Sequence, residues 1–191
     1  QVIADEADLY VVEVSSFQLD GMVEFTADTA VLLNITPDHL DRYDHDFERY
    51  ARSKMRVMAN MDASGTIIYG SENAESASRV GSFMTEADKM PIGLTRRDGN
   101  VGYVENDMLT LTEEKEMLRV PLEVLPLRGP HNYMNTLVAM AIASKYGVTE
   151  LDNIKALPSF KNAPHRLEFF ASIGGVDIIN HSKATKVDYV V

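Results

Sequence analysis

Cysteine is absent from the 191 residues, which excludes disulfides, thiolate metal centres and cysteine nucleophiles and fits a cytoplasmic setting. Basic side chains are scarce beside acidic ones: 18 Lys and Arg against 29 Asp and Glu give a formal net charge of −11. That balance argues against a general nucleic-acid or anionic-membrane surface. Phosphates can still be bound where basic groups are local or a divalent cation mediates. Long apolar runs are missing too, so neither a signal peptide nor membrane insertion has support. The sequence also lacks a G-x-x-x-x-G-K-[ST] phosphate loop, a G-x-G-x-x-G fingerprint and a G-x-S-x-G elbow. It has no internal repeats and no low-complexity segments.

What is present is an ordinary globular composition, 45% hydrophobic and 25% charged, long enough for one sizeable domain and part of a second. The chain opens on Gln1 and stops on the apolar "KVDYVV". Both ends read as cut, the expectation for a fragment of a longer protein.

Apolar patterning points to an α/β fold. "LYVVEV" (9–14) and "TAVLLNI" (29–35) are near-continuous aliphatic runs, expected to be parallel strands covered on both faces, with room for a crossover between them. "HDFERYARSKMRVMANM" predicts a helix with Phe47, Tyr50, Ala51, Lys54, Met55 and Met58 on one face. "GTIIYG" reads as a short strand, and 71–89 as helix and loop. From Gly99 to Val120 the pattern alternates, and its Glu-Asn-Asp centre predicts a hairpin on a small antiparallel sheet. "HNYMNTLVAMAIASKYG" predicts a second strong helix with Gly147 at C′. Pro158 and Pro164 bracket a linker, placing a domain boundary near 163, and two further strands flank "IGG".

The residues able to carry chemistry gather after the apolar runs. "ITPDHLDRYDHDFERYARSK" (35–54) holds four Asp, two His and three Arg, which is either a solvated loop and helix or a metal and phosphate site. Glu13 interrupts an apolar run; a buried carboxylate must be paired, metal-bound or at a strand end reaching water. His39 is a ligand candidate that Asp38 and Asp41 can orient, although Asp41 and Asp44 serve equally as helix caps. Lys54 falls on an apolar helix face, where its stem snorkels or its amine is held in a site. Asn132 and Asn135 open a helix in "GPHNYMN", reading a base edge or capping. Arg166 in "PHR" and Lys183 in "HSKATK" either neutralise phosphate or stand as surface cations.

Taken in order, "EVSSFQL", "LNITPDHLDRY", "RSK", "GPHNYMN", "PHRLE" and "NHSKAT" resemble the Mur ligase family over nearly the whole chain. The resemblance implies a mostly parallel central sheet flanked by helices, with 1–163 as an ATP-binding central domain and 164–191 as the start of a C-terminal domain. The "SSFQL" form is similar to the D-glutamate-adding branch. It implies an ATP-dependent, ADP-forming ligase that joins D-glutamate to UDP-N-acetylmuramoyl-L-alanine through an acyl phosphate, in peptidoglycan precursor synthesis. The implied cofactors are ATP and two Mg²⁺ ions. Glu13 and His39 correspond to metal ligands and Lys54 to a carbamylated lysine beside them, with His39, Lys54 and Lys183 as the catalytic group. Ser15 and Gln18 correspond to contacts with the UDP-linked substrate, and Asn132, Asn135 and Arg166 to contacts with the nucleotide. A cytoplasmic monomer is expected, without nucleic-acid partners.

The sequence departs from the family pattern at both ends. The phosphate loop and uridine-binding domain belong before Gln1, and most of the C-terminal domain belongs after Val191, so the fragment alone is expected to be inactive. His181, on the nucleotide side, stands where the family usually has Asp, and Lys186 where it usually has Asn. Two alternatives follow: a Mur-type ligase for another amino acid, and a degenerate, non-catalytic nucleotide-binding domain.

Overall fold

A computed structural model describes residues 7–112, 117–164 and 168–182. The chain falls into two compact units, Gln1–Tyr103 and Val104–Val191.

In the first unit three strands pair in parallel: β1 (Thr29–Leu32), β2 (Thr66–Gly70) and β3 (Asp88–Ile92). β2 lies between the other two and has Thr66, Ile67, Ile68 and Gly70 buried. An interior parallel strand covered on both faces needs such an unbroken apolar run. Three helices accompany the strands: α1 (Ser16–Gly21), α2 (Phe47–Met55) and α3 (Ala74–Ser82). α2 starts at Asp46, whose carboxylate accepts the Glu48 and Arg49 amides at 2.8 and 3.2 Å, satisfying donors that a helix start leaves open. Its apolar face sends Tyr50 and Ala51, with Met58 just beyond, into a core shared with Ala30, Leu32, Ile67 and Val80. Asn73 caps α3 through Ser76 N–H at 2.9 Å and also accepts Ile35 N–H at 3.2 Å, fixing the chain as it leaves β1. Arg79 joins α3 to α2 through both oxygens of Glu48, at 2.6 and 3.0 Å. The guanidinium holds the Glu48 carboxyl below its ordinary value.

β4 (Gly102–Glu105) and β5 (Met108–Thr112) meet at Asn106–Asp107, both left-handed with φ of 51° and 57°. Two successive positive φ angles are what a two-residue hairpin turn requires. In the second unit β5 pairs antiparallel with β6 (Met117–Pro121), while α4 (Pro130–Ser144) packs on β5 and α5 (Glu150–Ala156) on β6. Leu109, Leu111, Val120, Leu137 and Met140 fill that core. Past α4, Gly147 (φ 77°) donates to Ser144 O and Val148 to Ala143 O, at 2.9 and 3.2 Å. This is the paired closure of a helix whose C′ residue is left-handed, as the sequence predicts. The six strands hydrogen-bond in the order β1-β2-β3-β4-β5-β6, a mixed, mostly parallel sheet. A separate two-stranded antiparallel sheet, β7 (Glu168–Ile173) and β8 (Val176–Asn180), turns through Gly174 and Gly175. No described helix is long and apolar enough to cross a membrane.

Three expectations are corrected. The run 9–14 forms no strand: Val11 is 88% and Val12 64% exposed, and neither of the described sheets includes it. A strand needs a hydrogen-bonding neighbour as well as an apolar run. The hairpin within 99–120 joins the main sheet order, and the separate small sheet is β7–β8. Neither Asp41 nor Asp44 is an N-cap: Asp41 lies within a 3-10 turn, Leu40–Tyr43, and Asp44 follows it at φ 54°. The short link from Tyr43 into α2 leaves Asp46 as the residue with non-helical geometry at its start.

Candidate functional site

The chain leaves β1 through Leu33 and Asn34, and a pocket of about 210 Å³ opens there, at the carboxyl end of the strand. Ligands of open parallel α/β sheets sit at that end. Lys54 and Val57 come to it from α2 and the turn beyond, and Val14 from the segment preceding α1. Lys54 is half-buried, and its Nζ stands 5.4 Å from the centre of the Tyr50 ring. Its helical face is therefore the inward one that the spacing predicts, and the residue lines the pocket. Val14 stands between Glu13 and Ser15, so the backbone carrying both reaches the pocket that Lys54 lines.

Glu13 and His39 are exposed and do not line this pocket. His39 takes a left-handed backbone, φ 49°, and starts the 3-10 turn. Its Nε2 lies 3.9 Å from Asp38 Oδ2, and the Phe17 ring meets the imidazole edge-on at 5.5 Å between centres. The 3.9 Å separation is too long for a hydrogen bond; Asp38 Oδ1 accepts instead from the His39 backbone N–H at 3.0 Å. Among the described residues no three His, Asp or Glu side chains are arranged to hold a metal.

Ser15 and Gln18 form a capping box at the start of α1. Gln18 N–H donates to Ser15 Oγ at 3.3 Å, and Gln18 Oε1 accepts from Ser15 N–H at 2.9 Å. The S-x-x-Q spacing is itself the signature of this box. Ser15→Ala is expected to lower the unfolding free energy of the protein by about 1 kcal/mol in urea titrations; an unchanged midpoint would contradict the cap.

A further set of contacts has no counterpart in the sequence reading. Ser53 Oγ donates to Ser16 O at 2.7 Å, Arg56 to Leu19 O and Met22 O at 2.8 Å each, and Asn60 Nδ2 to Val23 O and Phe25 O at 2.9 Å each. The buried Tyr43 hydroxyl lies 3.2 Å from Ser53 Oγ and 3.1 Å from Asp20. Polar residues at 53, 56 and 60 make a stripe beside the apolar face of the helix, a signal present in the sequence, but the carbonyls they meet are about 35 residues away along the chain.

The second unit holds the other candidates. α4 starts at Gly129, φ 100°, followed by Pro130, so glycine and not Asn132 occupies the N-cap. Asn132 is half-buried and its Nδ2 donates back to Arg128 O at 2.8 Å; Asn135, one turn on, is exposed. His181 follows β8 and is half-buried. Arg166 and Lys183 lie outside the described residues, as do Thr185 and Lys186.

Residues 1–143 match the Mur ligase middle domain family. A UDP-N-acetylmuramoylalanine–D-glutamate ligase of Cytophaga hutchinsonii is 41% identical over 191 residues, covering 100% of this chain and 42% of that protein. The protein of the same name from Porphyromonas gingivalis is 42% identical over 191 residues, covering 98% and 42%. The chain thus spans 42% of the length of these curated relatives. Among solved structures, a UDP-N-acetylmuramoyl-L-alanyl-D-glutamate–2,6-diaminopimelate ligase superposes with a TM-score of 0.65 at 21% identity, over 84% of this chain and 34% of that one. A UDP-N-acetylmuramate–alanine ligase from Thermotoga maritima gives a TM-score of 0.59 at 16% identity, over 87% and 36%. These superpositions speak for the fold.

Proposed function

This chain belongs to the Mur ligase family, and on that premise we propose that it is the central, ATP-binding part of a cytoplasmic, monomeric ligase joining D-glutamate to UDP-N-acetylmuramoyl-L-alanine. Residues from 164 onward then begin the next domain. The observation that carries the reading is the pocket at the end of β1, where Lys54 and the segment bearing Glu13 and Ser15 meet. Relatives at 41 and 42% identity bearing that ligase name support the choice of amino acid.

In the reaction, the terminal phosphoryl group of ATP passes to the substrate carboxylate, leaving ADP and an acyl phosphate. The amine of D-glutamate then attacks the acyl carbon, the carbon–oxygen bond to phosphate breaks, and the amide forms as phosphate and a proton leave. Mg²⁺ is usually held by one or two carboxylates with substrate phosphates and waters completing its shell; Glu13 would supply one carboxylate and a carbamylated Lys54 another. When bound, such ions neutralise charge on the transferring phosphoryl group. His39 would serve the second site. Ser15 and Gln18 fix the segment facing the UDP-linked substrate. Asn132 and Asn135 offer amide edges to the adenine, while Arg166, His181 and Lys183 belong to the nucleotide side and the start of the next domain.

The test is ligation by the longer parent protein. ADP release is expected with UDP-N-acetylmuramoyl-L-alanine and D-glutamate, and not with L-lysine, diaminopimelate or L-alanine in its place. Turnover with one of those instead would replace the D-glutamate assignment, and none at all would leave a nucleotide-binding relative.

A further inference from the structure

Between Val14 and β1 the chain has one short helix, α1, and otherwise no regular structure. What locates this stretch is a row of side chains on the neighbouring helix. Ser53, Arg56 and Asn60 donate to the carbonyls of Ser16, Leu19, Met22, Val23 and Phe25, all within 2.9 Å. Spaced three and four apart, these donors lie on one side of α2 and its continuation.

Resting on the ligase reading above, we propose that Ser53, Arg56 and Asn60 are positioning residues that set the distance between the Glu13–Ser15 backbone and Lys54. Ser53 adjoins Lys54 in the chain, and Ser16 adjoins Ser15. The Ser53–Ser16 bond is buried at both ends, at 3 and 6% exposure. It therefore ties the backbone next to Lys54 to the backbone next to Ser15. Arg56 and Asn60 extend that join along the segment, the guanidinium occupying carbonyls at the carboxyl end of α1. Arg56 and Asn60 are exposed, and carbonyls there could be hydrated at little net cost. Their contribution is accordingly one of position more than of stability. None of the three touches a substrate in this reading; they act through Lys54 and Glu13.

The test uses the parent protein with Arg56→Met, Asn60→Asp and the double substitution. Methionine keeps the stem of Arg56, and aspartate keeps the shape of Asn60 without its donors. Amide hydrogen exchange over 13–25 is expected to speed up about tenfold in the double variant, which loses four hydrogen bonds whose exposed acceptors water largely satisfies. The Mg²⁺ concentration at half-maximal rate is expected to rise about tenfold, as when partners that orient metal ligands are removed. The KM for D-glutamate should stay unchanged, and Arg56→Lys, which retains a donor, should recover part of the Mg²⁺ effect. Wild-type exchange in the variants would overturn the proposal, and so would faster exchange with an unaltered Mg²⁺ dependence. Should the unsubstituted parent protein form no amide, the ligase reading falls separately. The positioning role is then decided by whether Mg²⁺ slows exchange over 13–25 in the parent protein but not in the double variant.

Discussion

Lys54→Met in the parent protein is expected to reduce amide formation about 10³-fold with little change in melting temperature. The first half follows from the chemistry: a charged group aligned on the charge that develops during phosphoryl transfer is worth about 10²–10³ in turnover when removed. The second follows from the packing. Lys54 is half-buried beside Val14, Leu19 and Leu32, and methionine fills the space its stem occupies. If the side chain did no more than cover apolar surface with its methylenes, the substitution would leave turnover near wild type, and the site would have to lie elsewhere. Lys54→Arg separates two ways in which the lysine can act. Arginine retains a cation but cannot carry a carbamate, so equal loss in both variants supports the carbamate. Recovery with arginine would show that positive charge is what the pocket uses.

Gly70→Ala is expected to be the most destabilising small substitution in the first unit. Gly70 ends β2, and a Cβ there would lie 2.0 Å from Leu33 O and 3.0 Å from Leu33 C. Both are backbone atoms, so no rotamer change relieves the overlap; either β2 or the chain leaving β1 must move. Forced overpacking of this kind costs about 3 kcal/mol. Because Leu33 also lines the Lys54 pocket, the displacement should reduce ligation in whatever fraction stays folded. Gly21→Ala is the control: a Cβ there meets nothing within 4 Å, and its unfolding free energy should stay within about 1 kcal/mol of wild type. Urea unfolding of the pair checks the geometry, since equal midpoints would mean that β1 and β2 do not approach this closely at Gly70.

Which elements were legible in the sequence follows from how local their causes are. α2, α4 and the 102–112 hairpin carry their signals within a few residues: an apolar stripe of helical period, a glycine at C′, and a turn pair tolerant of positive φ. β2 was legible because its place inside the sheet demands apolar residues on both faces. β3 was not, since Lys89 and Pro91 break its pattern and its strand geometry comes from pairing with β2. The run 9–14 shows the converse, strong local propensity in a stretch that neither described sheet includes. At the site, the inward face of Lys54 followed from its spacing, and the S-x-x-Q box was available to be read. The hold of Arg56 and Asn60 on Leu19 through Phe25 was not, because a carbonyl accepts a hydrogen bond whatever its own side chain is.

His39 has a consequence of another kind. An L-residue at φ 49° costs about 1 kcal/mol that glycine would not incur. Glycine would relieve that strain but would lose the imidazole's edge-on contact with Phe17 and cost more backbone entropy on folding. Position 39 thus weighs backbone strain against a ring contact, and comparing the stability and the turnover of His39→Gly separates what the imidazole does for the fold from what it does for the reaction.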